Sequence, residues 1–312
     1  MSEVMMARDI YGNTLLELGR KNKDIVVLDA DLSGSTRTAK FAKEFPDRFF
    51  NVGVAEQNLM GIAAGLASCK KIVFASTFAM FGIGRAWGQI RNTIAYSELN
   101  VKIVLTHAGI TVGPDGASHQ SLEDIALVNV IPNMVIMTPC DGPETREIIL
   151  AAVRHNGPVY VRLGRSKVPT IDGKGRFQMG KACILREGKD ISIIACGIMV
   201  KQALDAAKIL AAENKSARVV NMHTIKPIDK EMVIDCARKT NRIVVCEEHM
   251  ITGGLATAVS EVLAEEIPVR IERIGVKNRF GQSGSPAELM KEYHLTAEDI
   301  VKACRRLLAK TS

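Results

Sequence analysis

Residues 71–81 read Lys71-Ile72-Val73-Phe74-Ala75-Ser76-Thr77-Phe78-Ala79-Met80-Phe81. A short apolar run stops at two hydroxyl side chains, and two phenylalanines three residues apart follow. A run of this kind, apolar without alternation, predicts a strand covered on both faces, as in a parallel sheet flanked by helices. The same pattern recurs on either side. Ile25-Val26-Val27-Leu28 stops at Asp29-Ala30-Asp31, Val101 to Leu105 stops at Thr106-His107, and Val159-Tyr160-Val161 stops at Arg162. Helical stretches separate these runs. Ligands of open α/β sheets bind off the carboxyl ends of the strands. Four polar strand ends are therefore expected around one site.

Further along, the pattern lapses. Thr170-Ile171-Asp172-Gly173-Lys174-Gly175-Arg176 has two glycines and no apolar period, which predicts a linker over 169–181. Alternation then resumes. Asp190 to Ala195 reads as a strand, and Val200 to Ala212 as a helix with apolar residues at 200, 203, 204, 207 and 210. Arg218-Val219-Val220, Ile243-Val244-Val245 and Val269-Arg270-Ile271 read as further strands. A last helix is expected from Thr296 as N-cap, with Asp299 in its first turn and a stripe of Ile300, Val301, Cys304, Leu307 and Leu308. The expected fold is α/β, with two doubly wound domains of mainly parallel sheets at 1–168 and 182–312. The second domain shows few clustered polar strand ends and is assigned a structural or assembly role.

Composition narrows the function. The chain has 312 residues, enough for about two domains. It is 47% apolar and carries 41 basic against 34 acidic residues, a formal charge of +7. The basic excess is spread out, and only 4% of residues are aromatic, which argues against a nucleic-acid surface. A phosphorylated substrate or an acidic partner fits the excess better, although solubility alone also accounts for it. No apolar run approaches the roughly 18 residues that span a bilayer, and the first residues lack a secretory pattern. The seven cysteines are scattered without a C-x-x-C pair and read as small buried hydrophobes in a reducing compartment. A cytoplasmic protein is expected.

Three features carry chemistry. His107-Ala-Gly-Ile-Thr-Val-Gly-Pro-Asp115-Gly-Ala-Ser-His119-Gln120 begins at a strand end and contains three glycines, so its backbone can approach a ligand closely. Its two histidines and aspartate suit metal binding, acid–base work or a phosphorylated sugar; equally, His119 and Asp115 are suited to capping a helix near Ser121. The spacing matches no common zinc pattern, and no metal site is assigned. The second feature, Asn51-Val-Gly53-Val-Ala-Glu56-Gln-Asn-Leu-Met-Gly61-Ile-Ala-Ala-Gly65-Leu, is helical from Glu56 and lined with small residues. Glu56 either complements the helix dipole or, at the mouth of so apolar a helix, loses solvent and can donate a hydrogen bond as a neutral acid. In the third, Phe78 and Phe81 are core packing or a wall for a flat heterocycle.

Together these features resemble the second half of a transketolase, the pyrimidine-binding domain of a thiamine-diphosphate enzyme and the C-terminal domain after it. The resemblance rests on Gly-Val-Ala-Glu-Gln at 53–57, Ser-Thr-Phe at 76–78 and Gly-x-Asp-Gly-x-x-His-Gln at 113–120, and it covers the chain from Arg8 to the last helix. It implies that Glu56 contacts N1′ of the cofactor's aminopyrimidine. That contact favours the imino form that deprotonates the thiazolium, so that the cofactor can store a carbanion after C–C cleavage. Phe78 and Phe81 match the pyrimidine pocket, and Asp31 a position near the thiazolium. Where many relatives add a third aromatic, this chain has Gly84, leaving a thinner wall or one completed by Trp87. His107 and His119 match catalytic, substrate-contacting histidines, and Asp115 an aspartate that reads a sugar hydroxyl. Arg8, Ser35 and Arg165 match positions that hold the substrate phosphate.

The resemblance also marks what is absent. Family members bind the diphosphate and Mg²⁺ with a separate domain carrying Gly-Asp-Gly and a downstream asparagine. No Asp-Gly pair here follows a glycine. The expectation is therefore a split transketolase. This chain would transfer a two-carbon ketol unit between sugar phosphates only with a partner subunit supplying the diphosphate and Mg²⁺ site, in an α2β2 assembly. The alternatives are half of a 1-deoxyxylulose-5-phosphate synthase and the β subunit of a 2-oxoacid dehydrogenase. The histidine pair argues against the dehydrogenase, and Thr106-His107 against the synthase.

Overall fold

A computed structural model describes residues 4–173, 175 and 177–309. Lys174 and Arg176 of the expected linker lie outside the described residues. The strands are β1 (Val4–Met6), β2 (Ile25–Asp29), β3 (Phe49–Asn51), β4 (Ile72–Ser76), β5 (Val101–Leu105), β6 (Val135–Met137), β7 (Val159–Arg162), β8 (Lys167–Pro169), β9 (Cys183–Arg186), β10 (Ile191–Ala195), β11 (Ala217–Asn221), β12 (Thr224–Lys226), β13 (Arg242–Met250) and β14 (Arg270–Val276). The helices are α1 (Ala7–Lys21), α2 (Ser33–Thr36), α3 (Ala39–Glu44), α4 (Glu56–Ser68), α5 (Ala79–Gln89), α6 (Asp124–Asn129), α7 (Gly142–Arg154), α8 (Met199–Ala212), α9 (Lys230–Thr240), α10 (Leu255–Glu266), α11 (Pro286–Glu292) and α12 (Ala297–Ala309).

Two α/β units with mostly parallel sheets result. The first sheet has the order β12-β6-β7-β5-β4-β2-β3 and the second β14-β13-β10-β11-β9. Pairing is parallel except at β12 on β6 and β9 on β11. Every residue of β2, β5, β7, β10 and β11 is buried, the burial that unalternated apolar runs require. β3 and β4 lie on opposite sides of β2, so the chain reverses its winding there. Such a switch point opens a crevice at the strand ends.

One apolar core, holding α4 and α5 against the first sheet, continues into the second unit through Val220, Val245, Leu255 and Val259. A second core packs α1 and α7 on the other face of the first sheet, with Tyr11, Phe74 and Val161. A third packs α8 and α12 on the second sheet. The stripe read on α12 faces it, with Ile300, Val301, Cys304 and Leu307 buried. Thr296 caps that helix as expected: Asp299 N–H donates to Thr296 Oγ1 at 3.4 Å, and Thr296 N–H to Asp299 Oδ2 at 3.3 Å. Five of the seven cysteines are buried and all seven are free thiols. β12 was not anticipated. It extends the first sheet from within the second half of the chain, pairing Thr224 with Met137.

Candidate active site

The four strand ends do meet. β2, β4, β5 and β7 are successive neighbours, with Asp29 beside Ser76 and Leu105 beside Arg162. Asp29 organises the first of these ends. Its buried carboxylate accepts the Leu32 N–H at 2.6 Å, Thr36 Oγ1 at 2.7 Å and Thr38 Oγ1 at 2.8 Å. Burial pushes this carboxyl above its usual range, against the pull of those donors. The contacts hold residues 30–38 around the short helix α2, which carries Ser35.

Beyond β4 and β5 lies a cluster of rings. Phe78 stacks on His107 with centroids 3.8 Å apart and on Phe81 at 6.1 Å. His119 meets the edges of Phe81 at 5.2 Å and Phe78 at 6.4 Å. A backbone bridge between Phe78 and Thr106 holds the two segments together. Neither Asp115 nor His119 caps α6, which begins at Asp124 without a side-chain cap. The aromatic pair thus packs against two imidazoles, with Phe78 itself buried.

Glu56 opens α4 and is only 4% exposed. Among the described residues, the one group bonded to its carboxylate is the Arg85 guanidinium, with Nη1 at 3.3 and 3.4 Å from the two oxygens. Arg85 also lies over the Phe81 ring at 4.6 Å. It ties the carboxyl to the ring cluster, a role the sequence reading missed. The available signal was its place one helical turn beyond Phe81. Gly84 is exposed, and the Trp87 indole N–H donates to Leu127 O at 2.7 Å. A Cβ added to the exposed Gly61 or Gly65 would meet nothing within 4 Å among the described residues.

A cationic end adjoins the rings. β1 pairs antiparallel with β8, Met6 opposite Lys167, so Arg8 and Arg165 leave this ribbon at the same end. Arg8 Nη1 donates to Ser35 O at 3.2 Å and approaches His107 Nε2 at 3.5 Å. Because arginine only donates, Nε2 is the acceptor and His107 Nδ1 carries the hydrogen toward Thr106 Oγ1, 2.8 Å away. Burial, then the charges of Arg8, Arg165, His119 and Arg37, push the His107 pKa down to about 3, so the imidazole is neutral at physiological pH. Arg8 Nε is buried without a partner among the described residues, an unmet donor that suits an anion. Arg165 donates to Val112 O at 2.5 Å and sits 3.5 Å from the exposed Asp115. Arg37, also absent from the sequence reading, is held by Asp9 at 2.6 Å. Asp31 stands apart, exposed, with its backbone at φ 63° and its carboxylate accepting from Asn51 at 2.8 Å.

The arrangement joins an acid, flat walls, a neutral imidazole and a cationic end. It fits the pyrimidine end of thiamine diphosphate. Among the described residues no three His, Cys, Asp or Glu side chains gather as metal ligands. A cleft of about 560 Å³ beside α7, lined by Pro143, Arg146 and Phe177 among others, contains none of these residues.

Residues 3–170 match the family model of the transketolase pyrimidine-binding domain, and residues 180–300 that of the transketolase C-terminal domain. The chain is 53% identical over 296 residues to a Methanocaldococcus jannaschii protein provisionally described as a transketolase C-terminal section, covering 94% of this chain and 93% of that one. It is 37% identical over 315 residues to the transketolase of Rattus norvegicus, covering 99% of this chain but 50% of the rat enzyme. Among solved structures, a split-gene transketolase described as an inactive β4 tetramer superposes with a TM-score of 0.91 at 53% identity, over 97% of this chain and 98% of that chain.

Proposed function

The chain belongs to the transketolase family, and from that premise we propose that it is the pyrimidine-binding half of a split transketolase. The family depends on thiamine diphosphate, which, when bound, supplies the electron sink for breaking and making a C–C bond. The reaction is transfer of a two-carbon ketol unit from a ketose phosphate to an aldose phosphate. The observation that carries the reading is the buried Glu56 carboxyl beside the Phe78–Phe81–His107–His119 ring cluster.

The chain's residues divide the work. Glu56 would hold a hydrogen at N1′ of the aminopyrimidine, and Phe78 and Phe81 would orient that ring; the family resemblance alone assigns Asp31 to the thiazolium. His107, neutral, and His119 hold or move protons at the substrate oxygens, and Asp115 accepts from a sugar hydroxyl. Arg8, Ser35 and Arg165 receive the phosphate through charge-assisted bonds. A second polypeptide supplies the diphosphate and Mg²⁺ site and covers the open face, in an α2β2 assembly. The solved relative described as an inactive β4 tetramer supports this reading, because it is a split half without activity. Residues 1–168 form the cofactor and substrate domain, 169–181 the linker, and 182–312 the second domain. A cytoplasmic setting follows from soluble sugar-phosphate substrates; among the described residues no helix is long and apolar enough to cross a membrane.

The test is reconstitution with a polypeptide carrying the diphosphate site. Xylulose 5-phosphate with ribose 5-phosphate should give ketol transfer, and pyruvate with glyceraldehyde 3-phosphate should not react. Glu56→Gln should lower turnover by about 10²-fold or more. Full turnover by this chain alone, or by the Glu56→Gln complex, rejects the proposal.

A further inference from the structure

We propose that Glu248, on the second unit, is a positioning residue for the phosphate-binding end of the site; the inference rests on the reading that Arg165 and Asp115 face substrate. Glu248 lies in β13 and is 4% exposed. Its Oε1 accepts the backbone N–H of Thr111 at 2.7 Å, reaching into the His107–Gln120 loop of the first unit. The approach is close. A Cβ on Gly109 would lie 2.2 Å from Glu248 Cδ, and Gly109 holds φ at 87°, so glycine is what lets the loop backbone reach the carboxylate.

The next contacts run to the site. Thr111 O accepts Ser166 Oγ at 3.2 Å, and Val112 O accepts Arg165 Nη1 at 2.5 Å. Arg165 in turn sits 3.5 Å from Asp115. One dipeptide, Thr111-Val112, is thus held by its N–H from the second unit. Its carbonyls face Ser166 and Arg165, the arginine assigned to the phosphate. The same unit braces the far end of the loop: Gln120 Nε2 donates to Gln282 O at 2.9 Å as well as to Ile110 O and Gly113 O within the loop. Glu248 itself is anchored, because Arg162 Nη2 donates to its backbone carbonyl at 3.0 Å. Loosening the Thr111 amide therefore acts first on Val112, Arg165 and Asp115, while Glu56, Phe78 and Phe81 are held on other elements.

Glu248→Met fills the site without an acceptor, and Glu248→Gln keeps an oxygen that accepts. In the assembled enzyme, Glu248→Met should raise KM for a phosphorylated ketose about tenfold, the scale of a small misplacement. It should leave kcat and the KM of a non-phosphorylated 2-keto donor within about twofold. Glu248→Gln should restore wild-type values. Ser166→Ala, a milder loosening of the same dipeptide, should repeat the pattern at about threefold and keeps the test available if Glu248→Met does not fold. Hydrogen exchange at the Thr111 amide, read on the chain by itself, should accelerate at least tenfold in Glu248→Met while β10 amides stay unchanged. KM values that rise equally for both donors, or a phosphorylated-donor KM that does not move, reduce Glu248 to a domain-docking group and overturn the inference. Unchanged Thr111 exchange overturns the contact whatever the enzyme does. A wild-type complex with no turnover but accelerated Thr111 exchange in the variant instead overturns the functional reading and, with it, the substrate role given to Glu248.

Discussion

At the carboxyl edge of the second sheet, the polar residues are buried and bonded to neighbours, although Asn221 Oδ1 keeps no partner among the described residues. Asn221 donates to Glu144 at 2.7 Å, Glu247 accepts the Leu255 and Ala256 N–H groups at the start of α10, Glu248 accepts Thr111, and His249 accepts the Ala126 N–H at 3.4 Å. All four are buried. At the matching edge of the first sheet, Asp115 and Arg85 are exposed, His119 is half-buried, and Arg8 keeps a buried donor unpaired. Two sheets of one architecture thus end in similar residue types that differ in exposure: buried at the second edge, open to solvent at the first. Where buried polar groups find partners across an interface they fix the structure; where they face an opening with bonding capacity to spare, they are available to a ligand.

The largest test of this contrast is at Arg162, which stands between the two edges. Its guanidinium pairs with Asp124 at 2.7 Å while both side chains are almost fully buried. Burial, the largest influence, opposes both charges, yet the partner's field together with hydrogen bonds and neighbouring charges outweighs it: Asp124 is held below its usual range and Arg162 above its own. Arg162→Met leaves Asp124 buried without its counter-charge and should cost about 3–5 kcal/mol in urea unfolding. A loss below about 1 kcal/mol would break the picture of a locked edge. On the open edge, Arg165→Ala should raise KM for phosphorylated substrates about tenfold, roughly 1.4 kcal/mol, with little change in stability. A fall in kcat at constant KM would remove its phosphate role.

The smallest effect concerns acid. His107 titrates near 3 and His223 near 4 in the folded chain, both lowered by burial first, against about 6.5 when unfolded. Between those values the unfolded chain binds more protons, so these residues' contribution is intact above about pH 6.5 and is lost as pH falls toward the folded values. His107→Gln and His223→Gln should each make the decline of Tm between pH 7 and 4 shallower by a few degrees. If only His223→Gln does so, His107 is more open to solvent than its contacts with Phe78 and Arg8 indicate.

Strands were the most legible elements, because burial on both faces leaves an unbroken apolar run at 25–28 and 72–74, and at 101–105 one interrupted by Lys102, whose buried ammonium donates to His155 O and Gly157 O. The Thr296 cap was legible because its partner Asp299 is three residues away. β12 was not, since three residues pairing with β6 some 90 positions earlier leave no periodic trace. The site divides the same way. Glu56, Phe78, Phe81, His107, His119, Arg8 and Arg165 stand in short strings readable one by one, and the fold brings them together; Asp31 stays outside the contact cluster. Arg85 and Glu248 were passed over because each looks like an ordinary surface or strand residue until its neighbour is known. The second unit read as mainly structural for the same reason: Asn221, Glu248 and His249 take their meaning from partners in the first unit, while Glu247 holds the start of α10 within its own unit.

The order of residues by itself determined which segments become buried parallel strands and which side chains end them, since both follow from local hydrophobic pattern and chain direction. Tertiary structure alone decided which polar strand ends stay open and which are closed off. That choice depends on groups more than a hundred residues apart, such as Glu248 and Thr111, meeting where water is excluded and a polar atom must find a partner.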